Sequence, residues 1–241
     1  MKLFRTLFLG FCCVLLSIGA QAENIKIITI ELAPAGYKDK GESKGMAYDI
    51  ANEIAKRAGF NYSNKLKPFP RVVSELISHK ADMSILLKNS SVANSVVLVT
   101  PVFDTNTIVI GQKGLDINSL DDLKGKKVAI IRSGTFHKQL EEHGGMSFYP
   151  VVDYKTGVKM LKAGRVDALT GVDNALYFTM KTQGLSRSEF GKPYTYNTQQ
   201  AYLQLSNKKA SDEMVTKLTG IVDGLREDKT IENIVAKYTA D

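Results

Sequence analysis

The stretch KKVAIIRSGTFHKQL, residues 126–140, decides the fold of this chain. It places an unbroken apolar run, residues 128–131, before a Ser-Gly-Thr turn, and after that turn a segment that can form a helix. This order predicts a buried strand whose carboxyl end leads into the first free N–H groups of a helix, where Gly134 lets a ligand approach closely. Such a site holds an anion or a carboxylate and needs no catalytic group.

Strands and helices alternate on both sides of this stretch. Before it, the pattern predicts a strand at 25–30, an exposed loop at 31–37, a helix at 48–58, strands near 62–66 and at 81–87, and between them a helix that has Pro70 in its first turn. From 96 onward it predicts an apolar run at 96–99, a connecting strand at 105–111, a capping box at 119–122, strands at 128–131, 147–152 and 166–170, and helices at 136–143 and 156–163.

The two halves repeat one another. The segment LISHKAD, residues 76–82, is echoed by LKAGRVD, residues 161–167. Alternating strands and helices imply parallel, right-handed units with ligand sites at the carboxyl ends of the strands. Two such sheets in one chain predict an α/β protein of two lobes that face each other across a cleft.

The tail predicts how the lobes are connected. Residues 201–205 read as a return strand, and helices at 212–226 and 230–238 are expected to pack back on the first lobe. The expected division is 23–106 and 201–241 for the first lobe and 107–200 for the second. Two chain crossings between lobes form a hinge, so closure can bury a ligand.

The N-terminus is typical of a secretory signal peptide. Lys2 and Arg5 precede an apolar block at 7–18, and Ala20-Gln21-Ala22 predicts cleavage after residue 22. Both cysteines, Cys12 and Cys13, fall in this segment. The exported chain of about 219 residues then has no disulfide and is held together by core packing, which its length allows.

Charge and composition exclude several function classes. The formal net charge of +7 becomes +5 without the signal segment, and the basic residues are spread along helices, which gives no support for nucleic-acid binding. His137 and His143 lie six residues apart on one predicted helix, which is not a metal-ligand spacing. Ser133 has no candidate histidine base. We therefore expect no cofactor, no metal and no enzymatic activity.

The chain resembles the family 3 extracellular solute-binding proteins, the polar amino-acid-binding type that serves bacterial ABC importers. The matching segments are GMAYDI at 45–50, residues 76–82, TPVF at 100–103, LKGKKVA at 123–129, SGT at 133–135, GRVDA at 164–168 and the ending at 225–238. The resemblance covers essentially all of the exported sequence. It implies a periplasmic, two-lobed, hinge-closing monomer that delivers a small solute to an ABC permease.

The resemblance also identifies where this chain departs from its family. Amino-acid-binding members place an arginine for the α-carboxylate at a position near Ala93, and residues 89–99 contain no arginine. Members place an aspartate for the α-ammonium where Val172 stands, and Asp173 follows one position later. An ordinary α-amino acid would lack both contacts, and apolar contact does not replace a guanidinium that pairs with a buried carboxylate.

The remaining polar and aromatic residues near the expected cleft define the predicted site. They are Tyr37, Phe69, Arg71, Lys88 and Asn89 from the first lobe and Gly134, Thr135, Phe136 and Asp173 from the second. Arg71, Lys88 and the Thr135 amide would favour a carboxylate or another anion with an apolar or aromatic body.

Two alternatives remain open. The protein could be a ligand-sensing subunit that presents its shape to a membrane-bound receptor. It could also be a periplasmic dehydratase of the same fold, in which Glu31 or Asp173 serves as the general acid.

Overall fold

The computed structural model describes residues 23–132 and 138–240. The first part of the chain forms β1 Asn24–Ile30, β2 Tyr37–Asp39, β3 Glu42–Lys44, α1 Met46–Arg57, β4 Asn61–Lys67, α2 Phe69–Ile77 and β5 Met83–Leu87. The middle forms β6 Val96–Gly111, β7 Lys127–Ile131, α3 Lys138–His143, β8 Ser147–Val151, α4 Tyr154–Lys162, β9 Ala168–Val172 and α5 Asp173–Thr182. The last part forms β10 Tyr194–Ser206, α6 Asp212–Glu227 and α7 Thr230–Thr239. The predicted α/β class is confirmed.

One sheet of eight strands has the order β4-β1-β5-β10-β6-β9-β7-β8, and β2 and β3 form a separate hairpin. At one end β1 lies parallel to β4 and β5, and at the other β7 lies parallel to β8 and β9. The long strands β6 and β10 pair antiparallel between these groups. Each parallel group is the sheet of one lobe, and β6 and β10 are the two strands that connect the lobes.

Each lobe has its own apolar core. In the first lobe Ile25 and Ile54 pack with Leu218 and Leu225, so helices from the end of the chain complete a core that β1 begins. In the second lobe Leu161, Leu169 and Leu176 belong to one cluster, together with Ile108 of β6. Burial of apolar side chains on both faces of the parallel strands fixes each lobe as a unit.

The sequence repeat has the same structural role in both lobes. The Asp82 carboxylate accepts a hydrogen bond from the backbone N–H of Lys26 at 2.8 Å. The Asp167 carboxylate accepts one from the backbone N–H of Lys127 at 2.7 Å. In both lobes this aspartate therefore ties the segment that precedes the third strand to the first strand.

Two expectations about the elements were wrong. The runs at 96–99 and 105–111 are one strand, β6, which continues through Pro101. Proline is tolerated there because β9 joins the other side of β6 only from Thr107 onward, so β6 is an edge strand at Pro101. The return strand β10 likewise begins at Tyr194, seven residues before the predicted start. The helix α5 was not predicted.

Candidate functional site

A cavity of about 1070 Å³ lies between the lobes, at the carboxyl ends of their parallel strands. Its first-lobe wall is mostly apolar and includes Leu32, Pro34, Met46, Phe69, Leu87 and Phe103. Phe69 is present because α2 begins directly after β4, with Pro70 in its first turn. This wall can bury the apolar body of a ligand.

The floor of the cavity is polar. It is formed by Thr105 of β6 and by Asn197 and Gln199 of β10, where these strands pass between the lobes. Side chains alternate along a strand, so Asn106 points to the other face, where its amide nitrogen donates to the Asp173 carboxylate at 2.8 Å. The floor thus offers amide and hydroxyl groups, which both donate and accept hydrogen bonds.

Tyr154 forms an aromatic wall on the second lobe. Its hydroxyl accepts a hydrogen bond from the backbone N–H of Val172 at 3.0 Å. Its ring lies so close to Gly171 that a Cβ atom at Gly171 would stand 2.2 Å from the ring. Burial raises the pKa of the Tyr154 hydroxyl, so the side chain is a neutral wall that its neighbours hold in one position.

The cavity is open to solvent in this structure. Apolar side chains that follow strand ends remain in contact with solvent on both lobes: Leu32 is 62% exposed, Phe69 42% and Val152 65%. Exposed apolar side chains at the rim are available for burial when the lobes approach one another.

Three of the predicted site residues line the cavity. They are Phe69, Lys88 and Asn89. The ammonium group of Lys88 lies 4.7 Å from the centroid of the Tyr202 ring, a cation–π contact that holds the side chain at the edge of the cleft. The Asn89 side-chain oxygen accepts from the Ser91 N–H at 2.8 Å, so the amide nitrogen of Asn89 is the group that can face a ligand.

Tyr37 lies elsewhere than the sequence suggests. It is outside the cavity lining, and its ring centroid is 5.2 Å from that of Phe178 and 6.2 Å from that of Tyr238. The hairpin of β2 and β3 turns Tyr37 away from the strand ends, into a contact between the lobes.

Arg71 is also outside the cavity lining. Its side chain is 62% exposed, and its Nε donates to the Glu75 carboxylate, one helical turn further along α2, at 2.9 Å. At helical spacing, Phe69 and Arg71 point in different directions. The structure therefore does not bring Arg71 to the site.

Asp173 is buried beside the cavity and does not line it. Its carboxylate accepts from the side chain of Asn106 and, at 2.6 Å, from the backbone N–H of Asn174. Burial raises the pKa of Asp173, while these hydrogen bonds and the nearby charge of Arg187 lower it. Asp173 begins α5, which directs its carboxylate to the hinge strand and leaves Asn174 to face the cleft.

The other predicted residues, Gly134, Thr135 and Phe136, lie outside the described residues. Conversely, the sequence reasoning missed Tyr154 and the amides Asn197 and Gln199. The polar run NTQQ, residues 197–200, inside a strand was the available signal, because a strand rich in amides suits a cavity floor better than a core.

The described residues give little support for catalysis. Glu31 is exposed and outside the cavity lining, and the Asp173 carboxylate is held by Asn106. Within 23–132 and 138–240 there is no group of three or more His, Cys, Asp or Glu side chains that could hold a metal ion. In these same ranges no helix combines the length and apolar character that crossing a membrane requires.

Comparison of sequences identifies relatives over nearly the whole chain. The family model described as bacterial extracellular solute-binding proteins, family 3, matches residues 25–241. The probable amino-acid-binding protein YxeM of Bacillus subtilis is 27% identical over 219 residues, which cover 85% of this chain and 79% of that protein. The histidine-binding periplasmic protein of Escherichia coli is 24% identical over 249 residues, which cover 97% of this chain and 94% of that protein.

Comparison of structures identifies the same fold. The L-cystine solute receptor of Neisseria gonorrhoeae aligns with a TM-score of 0.77 at 17% identity, over 91% of this chain and 94% of that one. The second substrate-binding domain of GlnP from Lactococcus lactis aligns with a TM-score of 0.74 at 21% identity, over 92% and 97%. These likenesses confirm the two-lobed arrangement that the sequence predicted.

Proposed function

Because the chain belongs to the bacterial extracellular solute-binding proteins of family 3, we propose that it captures a small polar or anionic solute by hinge closure and delivers it to an ABC importer. The observation that carries this proposal is a cavity with walls from both lobes and a floor formed by the strands between them. A ligand that touches both walls stabilises the closed form.

The lining narrows the chemistry of the solute. Lys88 on the first-lobe wall and Lys138 on the second-lobe wall are the cations of the lining, and Lys138 lies 3.6 Å from the Glu142 carboxylate in a largely exposed pair. Ammonium groups, several amides and an apolar wall suit a carboxylate or an amino acid-like compound with an apolar or aromatic body. Relatives that are named for amino acids support the same class.

We also propose that the protein acts as a binding component and not as an enzyme, since no described carboxylate faces the cavity except Glu142, which lies beside Lys138. The signal-like N-terminus supports export to the periplasm with cleavage after residue 22. A permease is the proposed partner, because family members supply ABC transporters.

A thermal-shift screen tests this function. The folded protein would be heated with amino acids, other carboxylates, peptides and polyamines, and a compound that binds only the folded state raises the melting temperature. We expect an aromatic or aliphatic carboxylate to raise it. Titration calorimetry then compares Lys88→Met with Lys80→Met, a control on an exposed lysine outside the cavity lining.

Loss of carboxylate binding in Lys88→Met but not in Lys80→Met would support the proposed site. Two results would contradict the proposal: no compound in the screen stabilises the protein, or the stabilising compound binds Lys88→Met as tightly as it binds the control.

A further inference from the structure

A third connection between the lobes lies beside the two hinge strands. The Nζ of Lys181, at the end of α5 in the second lobe, donates to the backbone oxygens of Lys237 at 3.2 Å and Ala240 at 2.9 Å. An Nη2 group of Arg187, just beyond α5, donates to the backbone oxygen of Thr239. All three acceptors lie in or directly after the last turn of α7, which packs on the first lobe.

These acceptors are the groups that a helix end leaves without partners. The last carbonyls of an α-helix have no intrahelical donor, and they carry the negative end of the helix dipole, so cations bind well there. Lys237 is in the last turn of α7, but its ammonium group pairs with Asp49 at 2.9 Å. The cations that cap α7 therefore come from the opposite lobe.

The charge of Arg187 also acts on a carboxylate that is hydrogen-bonded to a hinge strand. The guanidinium carbon of Arg187 lies 3.7 Å from the centroid of the Tyr177 ring on α5, and its charge acts on Asp173. Asp173 accepts from the amide of Asn106 in β6, and the Asn106 oxygen in turn accepts from the Thr198 hydroxyl of β10 at 2.8 Å. Hydrogen bonds thus link both hinge strands to the start of α5, and the charge of Arg187 acts on the carboxylate at the centre of this group.

Aromatic packing adds to the same contact. Tyr37 of the first lobe lies between Phe178 of α5 and Tyr238 of α7. The Tyr238 hydroxyl donates to Asp49 at 2.6 Å and accepts from the Gly45 N–H at 3.1 Å, so α7 is fixed to the first lobe. Any movement between the lobes must therefore occur between α5 and α7.

We propose that Lys181 and Arg187 are positioning residues that hold the cleft open by capping α7 from the second lobe. The cavity is open to solvent while these contacts are made, and closure rotates α5 relative to α7. Hydrogen bonds of this length do not survive such a rotation. A ligand then closes the cleft against these contacts, which makes its apparent affinity weaker than its affinity for the closed form.

The test uses the ligand-free protein and so does not depend on the identity of the solute. No cysteine occurs in residues 23–241, and Tyr62 of β4 and Tyr149 of β8 are 43% and 44% exposed at opposite edges of the sheet. Tyr62→Cys and Tyr149→Cys would carry spin labels, and the distance between the labels reports the opening of the cleft. The variants are Lys181→Met and Arg187→Met, with Lys159→Met on the exposed face of α4 as the matched control.

We expect a population at shorter distance in Lys181→Met, a larger one in the double variant, and the parental distribution in the control and in Arg187→Lys. Each lost hydrogen bond of ordinary strength should raise the ratio of closed to open molecules by about threefold to tenfold. A distribution that is unchanged, or shifted to longer distances, in the folded Lys181→Met protein would overturn the proposal. Lys181 is exposed, so this single variant remains folded even if Arg187→Met does not.

Discussion

At the scale of single residues, Gly171 decides where the aromatic wall of the cleft stands. A methyl group at this position would lie 2.2 Å from one carbon of the Tyr154 ring and 2.9 Å from another. We expect Gly171→Ala to displace the Tyr154 ring and to break the hydrogen bond between its hydroxyl and the Val172 N–H. The free energy of unfolding should fall by about 1–3 kcal/mol, the usual cost of overpacking. Binding of the solute found by screening should weaken about tenfold in the same variant, as measured by calorimetry, because one wall has moved.

Gly220, on the exposed face of α6, is the control for this change. A Cβ atom there meets nothing within 4 Å, and alanine is the better helix former. Gly220→Ala should raise the free energy of unfolding by about 0.5–1 kcal/mol in a urea titration. Equal effects of the two substitutions would mean that the contact between Gly171 and Tyr154 is not rigid.

Asp228 links the pH dependence of stability to the turn between α6 and α7. Hydrogen bonds from Thr230 and from Arg57 lower the pKa of its carboxyl from 3.8 to about 2. A carboxyl whose pKa is lowered by folding stabilises the fold at pH values above its ordinary pKa. This contribution is lost as the pH falls from about 4 to about 2. Asp228→Asn should therefore lower the melting temperature at pH 7 and have a much smaller effect at pH 2. A difference of the same size at both pH values would contradict this assignment.

At the scale of elements, the two ends of α2 have different roles. Phe69 at its start is 42% exposed and lines the cavity, whereas Ile77 at its end is 45% exposed and does not. Phe69→Ala should change the free energy of unfolding by less than about 1 kcal/mol but weaken ligand binding about tenfold, because the exposed part of the ring is buried only in the closed form. Calorimetry on Ile77→Ala, where affinity should not change, provides the comparison.

The elements also show what periodicity can and cannot predict. The strands β1, β4, β5, β7 and β8 were predicted within two residues at each end. For β1, β5 and β7 the reason is that buried parallel strands are short apolar runs between turn signals. The helix α5 was missed because it follows β9 without a loop and starts with Asp-Asn, which is also typical of a turn. Pro101 hid the continuity of β6 for a similar reason, since proline is compatible with a strand only where one edge is unpaired.

At the scale of the whole molecule, the site was less predictable than the fold. Phe69, Lys88 and Asn89 line the cavity because each follows a predicted strand, and strand ends meet at the cleft. Tyr154 and Gln199 were missed because their places depend on packing between segments far apart in the chain, which no local pattern records. Asp173 was predicted to face the cavity, but its carboxylate contacts Asn106 and the next residue lines the cavity. This orientation is set by the start of α5, which was not predicted.

Closure of the two lobes predicts a change of overall size. We expect small-angle scattering to give a smaller radius of gyration for the protein saturated with the solute found by screening than for the free protein, because the lobes approach one another and bury the cavity residues Leu32 and Phe69. Profiles that superimpose, with binding shown independently on the same sample, would exclude closure of this kind.

The shared core of β1, α6 and α7 has a consequence for the order of folding. Ile25 and Ile27 pack with Leu218, Val222 and Ile231, which lie about two hundred residues further along the chain. Leu161 and Leu169 instead pack with partners close to them in sequence. The middle of the polypeptide is therefore the part equipped to form its core first, and the first lobe matures only when its two distant segments meet.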